Sequence, residues 1–288
     1  MTVRKLFHSA LLLCLASASS ACFVRKRVLA PPAGQPANRP ILTATKDELI
    51  ARIHAAFDPI QDFNMSADMS PSVGSVYAGA LTDYATIRAY VLFRRPDQIR
   101  VIGLDPVVHT STIFDMVSSG NDFRISIPSR TQFIEGANDA PPASKSKLEN
   151  LRPQAFLDAL IVSAPSDSDI TLLEDDTDET KAVYILLILR QEPGGFRLVR
   201  NVFFNRYTLE ISRQKTFNPD GDIVSETRYT DWKPFGAASF PANIVIRRPI
   251  DGYEVTMDVI DNKINTSQVT AEKFVLEQPS GSKLTRLK

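Results

Sequence analysis

The sequence predicts a mainly β protein of the α+β class: an antiparallel sheet of about ten to twelve strands, with two or three helices laid against it. Three observations lead there. Apolar residues alternate with polar ones in several separate stretches, tight-turn residues and not helices separate those stretches, and helical spacing is confined to short segments. No alternation of strand and helix calls for a parallel sheet.

The first element is a helix. Thr45-Lys46-Asp47-Glu48 is a capping box, in which each end residue can satisfy the other's backbone amide. Leu49, Ile50, Ile53 and Phe57 follow at helical spacing, and Pro59 ends the run. The period then changes to two. In IRAYVLF, Ile87, Ala89, Val91 and Phe93 share one face against Arg88, Tyr90, Leu92 and Arg94; FRISI sets Phe123, Ile125 and Ile127 against Arg124 and Ser126. Pro153 opens a short helical stretch with Phe156, Leu157, Leu160 and Ile161 on one side, and Pro165 closes it. Late in the chain, YEVTMDVI sets Tyr253, Val255, Met257 and Val259 against Glu254, Thr256 and Asp258. Turns are read at Ser118-Ser119-Gly120-Asn121, Pro193-Gly194-Gly195, Pro219-Asp220-Gly221 and Asp251-Gly252.

The start of the chain reads as an export signal. Arg4 and Lys5 precede a mostly apolar stretch over residues 6–17, and Ser19-Ser20-Ala21 supplies the small residues of a cleavage site. The apolar stretch is well short of the ~20 residues that a membrane-spanning helix needs. Ser19-Ser20-Ala21-Cys22 resembles the lipobox of bacterial lipoproteins, which implies lipid modification of Cys22 and cleavage just before it; the alternative is a soluble exported protein in which Cys22 is incidental. Phe23 after the cysteine favours delivery to the outer membrane, and Arg25, Lys26 and Arg27 would lie beside an anionic lipid surface, at about 1 kcal/mol each.

Cleavage would remove Cys14, so no disulfide pair is expected. It would also leave 31 basic against 33 acidic side chains, a balance that gives no basic face for nucleic acid. From residue 24 to about 44 the chain carries Pro31, Pro32, Pro36 and Pro40 with no apolar period, which suits an extended tether. The expected organisation is therefore a signal peptide over 1–21, a lipidated N-terminus and tether over 22–44, and a folded domain over 45–288.

Catalytic and metal motifs are not evident. His54 and His109 have no histidine or glutamate at ligand spacing, and there is no G-x-S-x-G elbow, P-loop or dinucleotide fingerprint. The acidic stretch over 167–179 lacks the spacing of a calcium loop and reads as a solvated hairpin tip. No catalytic residue, metal site or cofactor is expected, and the protein is expected not to be an enzyme.

The order of the helix, the strands FRRPDQIRVIGLDP and FDMVSSGNDFRISIP, and the closing run FPANIVIRRPIDGYEVTMDVIDNKINTSQVTAEKFVLEQPSG resembles the LolA/LolB family of periplasmic lipoprotein carriers. The resemblance implies a half-open, strongly curved antiparallel β-barrel with helices across its concave side, enclosing an apolar cavity for lipid or lipoprotein acyl chains. Ile87, Val91, Phe93, Phe123, Ile125, Ile127, Tyr253, Val255 and Met257 are the candidate lining, although the same alternation would equally fill a dry core. The family's membrane acceptor presents an apolar residue on a protruding loop. Here the corresponding corner, Arg94-Arg95-Pro96-Asp97-Gln98, is polar, and Leu81 in GALTDY is the nearest apolar substitute. The expected protein is anchored in the cell envelope, at the outer membrane facing the periplasm, and acts as carrier, acceptor or lipid transporter. The alternative is a structural or sensing lipoprotein that uses the same fold to bind an envelope protein.

Overall fold

The computed structural model describes residues 40–75, 79–108, 110–139 and 151–287. The predicted signal, Cys14, Cys22, most of the tether and His109 lie outside the described residues.

Helix α1 (Lys46–Phe57) begins at the predicted box: the Glu48 amide donates to Thr45 Oγ1 at 3.3 Å, and the Thr45 amide donates to Glu48 Oε2 at 2.7 Å. Leu49, Ile53 and Phe57 are its buried stripe. Each fully buried side chain of this size contributes about 1.5–3 kcal/mol, which outweighs the few tenths per residue of helix propensity. At the far end the Arg95 guanidinium closes the helix, donating to the carbonyls of Phe57 and Ile60, both at 2.7 Å. Packing begins slightly before the helix. The Leu42 amide donates to the Arg206 carbonyl at 2.7 Å, and Ala44 is buried.

The strands are β1 (Asp62–Ser75), β2 (Ala80–Asp83), β3 (Ile87–Arg94), β4 (Gln98–Leu104), β5 (Thr112–Ser119), β6 (Asp122–Ile127), β7 (Gln132–Ala137), β8 (Asp169–Thr177), β9 (Ala182–Glu192), β10 (Gly195–Asn205), β11 (Ile211–Phe217), β12 (Ile223–Phe235), β13 (Ala238–Arg248), β14 (Tyr253–Ile264) and β15 (Lys283–Leu287). Fifteen strands thus stand among the described residues, more than the ten to twelve or so that the alternating stretches predict. They form one large, curved and unclosed sheet in the order β15-β7-β6-β5-β4-β3-β1-β14-β13-β12-β11-β10-β9-β8, with β2 paired to β1. Consecutive strands pair antiparallel on either side of a β1–β14 seam, as the turn residues predict. The exception is β15, which runs parallel to β7 and covers that edge.

Helix α2 (Pro153–Leu160) buries Ala155, Phe156, Leu157, Ala159 and Leu160, so nearly all its sides meet protein. Its last carbonyls are bonded by the sheet: Tyr229 Oη donates to Ala159 O at 2.7 Å and Gln214 Nε2 donates to Asp158 O at 3.0 Å. Both helices pack on the inner face, where the principal core gathers Leu49, Ile53, Phe57, Phe63, Phe93, Phe156 and Phe240.

A smaller core covers the outer face. Leu92, Val117 and Phe133 are buried beneath Val269, Phe274 and Leu276 of the segment that leads to β15. Arg100 Nη1 pins that segment at Lys273 O, 2.7 Å away, while its other nitrogens hold Asp115 at 2.6 and 2.9 Å.

Candidate functional site

The inner face is not filled along its whole length. Near the ends of β1, β3, β5, β6 and β14 an apolar cavity of about 330 Å³ remains, walled by Met69, Pro71, Ile87, Ile113, Phe114, Met116, Ile125, Ile127, Leu151 and Val255. This volume lies within the ~300–1,000 Å³ range of small-ligand sites. Tyr84, Ala85, Pro106, Ser129 and Arg130 complete the lining.

Each wall follows from strand geometry. Met69 and Pro71 continue the inward alternation of β1 from Phe63, Met65 and Ala67. Phe114 lies across Gly103 of the neighbouring strand, and a Cβ at Gly103 would overlap its ring. A glycine here is thus what lets an aromatic side chain form the wall.

The rim is apolar as well. The turn after β4 is held by Asp105, whose Oδ1 accepts from the Val107 and Val108 amides, both at 2.8 Å. That turn presents Val107 at 84% and Val108 at 55% exposure next to the lining residue Pro106. Leu81 of β2 is 64% exposed, close in sequence to the lining residues Tyr84 and Ala85.

The nine residues predicted to line a cavity divide into two groups. Ile87, Ile125, Ile127 and Val255 are at the cavity wall. Val91, Phe93, Phe123, Tyr253 and Met257 are buried in the packed core and do not line it. Both groups face inward; the second is packed among the core side chains and neighbouring rings, such as Phe63 on the adjacent strand at 5.2 Å from Phe93. Met69, Pro71, Ile113, Phe114, Met116 and Leu151 were not foreseen. The strict alternation of Phe63, Met65, Ala67, Met69, Pro71 and Val73 with polar residues was the signal that could have found the first two.

His54 is exposed on α1, with Nδ1 2.7 Å from Asp58 Oδ2. The acidic stretch is placed in β8 and the turn after it, where Asp178 Oδ1 accepts from the amides of Thr180 and Lys181 at 2.7 and 3.0 Å. Among the described residues no group of three or more His, Cys, Asp or Glu side chains could hold a metal ion, and no helix is long and apolar enough to cross a membrane.

No protein-family model matches the sequence, and no curated protein matches it. Solved structures do match the fold. A LolA superfamily protein from Nitrosomonas europaea aligns over 81% of this chain and 99% of its own, with a TM-score of 0.52 at 13% identity. A DUF1329 family protein from Desulfovibrio piger aligns over 79% of this chain and 97% of its own, with a TM-score of 0.50 at 14% identity. The chain has a LolA-like fold.

Proposed function

We propose that this chain is an envelope lipoprotein, anchored through lipid at Cys22, that takes lipid or lipoprotein acyl chains into the apolar cavity on the inner face of its sheet and hands them on without covalent chemistry. The single observation that carries the reading is the cavity itself, whose wall is almost wholly apolar and whose rim exposes Val107, Val108 and Leu81. Transfer of a methylene out of water is worth about 0.8 kcal/mol, so eight buried methylenes supply ~6 kcal/mol. That corresponds to a Kd in the tens of micromolar, tight enough to hold a chain and weak enough to release it. The exposed rim suits contact with the membrane surface from which a chain is taken.

The test is lipid occupancy. The chain carrying Cys22→Ser, which lacks any lipid of its own, is purified without detergent and weighed by native mass spectrometry. Bound lipid, displaced by a fluorescent acyl probe, is the expected result. An empty protein that the probe does not enter would end this reading.

One feature favours a second reading, as a scaffold for an envelope protein. Strand β8 pairs only with β9 among the described residues, and it exposes Ile170 and Leu172. Co-purification of one stoichiometric partner with an empty cavity would select it.

A further inference from the structure

A bulge in β10 puts a charge on the inner face. Leu198 pairs with Leu189 and Arg200 with Ile188, so Val199 is the extra residue. Val202 and Phe204 lie in the principal core, and counting back by two places Arg200 on their face; the bulge lets Val199 pack against the same core. Bulges re-aim side chains in this way next to functional sites.

Arg200 opens into a second cavity of about 510 Å³, between α2 and strands β8 to β11, which shares no lining residue with the apolar one. Among the described residues its one side-chain hydrogen bond runs from Nη1 to Gln214 Oε1 at 3.5 Å. Gln214 is itself buried and fixed to the Asp158 carbonyl, so it offers no countercharge. Among the described residues no carboxylate stands within 4.0 Å of the guanidinium. Burial lowers the Arg200 pKa from its ordinary value, as it does for a cation without a close counter-ion.

Asp158 faces the same cavity from α2. Its Oδ1 accepts from Gln154 Nε2 at 2.8 Å, and among the described residues it forms no ion pair. The remaining charges in the wall, Asp169 and Arg190, pair with each other at 3.4 Å. The cavity thus presents one cation and one anion that do not meet. A simple anion would gain Arg200 but confront Asp158, and a simple cation would do the reverse.

We propose that this cavity binds a zwitterionic group of the ethanolamine phosphate type, its anion gripped by the Arg200 guanidinium and its primary ammonium by the Asp158 carboxylate. The planar guanidinium donates to two oxygens of one anion, and the hydroxyls of Ser163 and Thr216 in the wall can serve a third. Such a group is the headgroup of an amino-phospholipid or a free amino-phosphate. The inference does not rest on acyl chains entering the apolar cavity.

Calorimetric titration of the purified full chain with O-phosphoethanolamine, inorganic phosphate and ethanolamine tests it. Phosphoethanolamine is expected to bind at least about tenfold more tightly than either fragment. Arg200→Gln should remove at least about tenfold of the affinity for phosphoethanolamine and phosphate, and Arg200→Lys should recover part of it. Asp158→Asn should abolish the preference for phosphoethanolamine without weakening phosphate. Circular dichroism checks that each variant folds. A dihexanoyl phosphatidylethanolamine arm, below its micellar concentration, separates the sources: affinity above that of phosphoethanolamine identifies a lipid headgroup, and equal affinity identifies the free group. No binding of phosphoethanolamine at millimolar concentration would overturn the proposal. So would binding indifferent to Arg200→Gln, or equal binding of phosphate that Asp158→Asn leaves unchanged.

Discussion

Arg95, at the corner between β3 and β4, closes the end of helix α1 by donating to the Phe57 carbonyl at 2.7 Å. The same guanidinium reaches Ile60 O, so one side chain of the sheet satisfies two carbonyls at the helix end. Hydrogen bonds from a charged donor are worth about 1.5–3 kcal/mol each, with part of that recovered by water when the donor is lost. Arg95→Ala is expected to cost about 2–3 kcal/mol in urea unfolding. Amide exchange should rise chiefly in α1, and a uniform rise across the sheet would count against a local helix clasp.

Cavity and core residues should respond differently to the same chemistry. Val91 is fully buried among packed neighbours, so Val91→Asn leaves an amide without partners and is expected to cost about 3 kcal/mol or more. Ile127 is only partly buried and faces the cavity, so Ile127→Asn is expected to leave unfolding within about 1 kcal/mol of wild type while reducing acyl-probe binding. Thermal melts and probe titration on the two variants check the contrast.

Gly103 controls the wall through Phe114. Gly103→Ala introduces a methyl group into the volume of the Phe114 ring, and the ring must swing or the strands part. The expected outcome is a destabilisation of about 1–3 kcal/mol, with altered acyl-probe affinity. Phe114→Leu in the same background should relieve the overlap and restore stability.

The rim offers a kinetic test. Val107 and Val108 are exposed, so Val107→Asp with Val108→Asp should leave the melting temperature nearly unchanged. Transfer of a fluorescent lipid between vesicles, followed in stopped flow, should slow severalfold if the rim meets the bilayer. An unchanged rate would place membrane contact elsewhere.

Asp158 gives a pH signature. Desolvation is the largest cause raising its carboxyl above the ordinary 3.8, outweighing the hydrogen bond from Gln154. A raised folded-state value means that its contribution to stability is fully present below the unfolded pKa and is lost as pH rises through the folded one. Because Asp158 keeps part of its surface in solvent, Asp158→Asn is expected to be only slightly more stable than wild type at neutral pH, and the difference should vanish in acid. Paired melts across pH 3–8 would show it; a variant less stable than wild type at neutral pH would contradict it.

The local elements were legible in the residues. The Thr45–Glu48 box, the Pro153 helix and the strands at Ile87, Phe123 and Tyr253 all stand where capping chemistry and period two put them. Strand β1 was hidden by its Met, Ala, Ser and Pro content, although its alternation was intact. Cavity and core were not separable in advance. Val255 and Met257 are two positions apart on one face, yet one meets open space and the other packed side chains. Which of them a helix covers depends on where α1 and α2 settle, and no strand period encodes that. The bulge at Val199 was equally silent, because an extra residue in a ladder is defined by its partner strand.

The β1–β14 seam has a consequence in time. Phe63 pairs with Ile264 and Val73 with Tyr253, so the central register of the sheet joins residues nearly 200 positions apart, while every other antiparallel neighbour is local or moderately so. Closing so long a loop is the slow and entropically costly step. The strands of each half can zip outward by hairpins beforehand, but Val255 reaches the cavity wall only when β14 docks on β1. A chain emerging from its N-terminus therefore lacks the complete wall of the apolar cavity until β14 has arrived, so that cavity closes only after both halves of the sheet have joined.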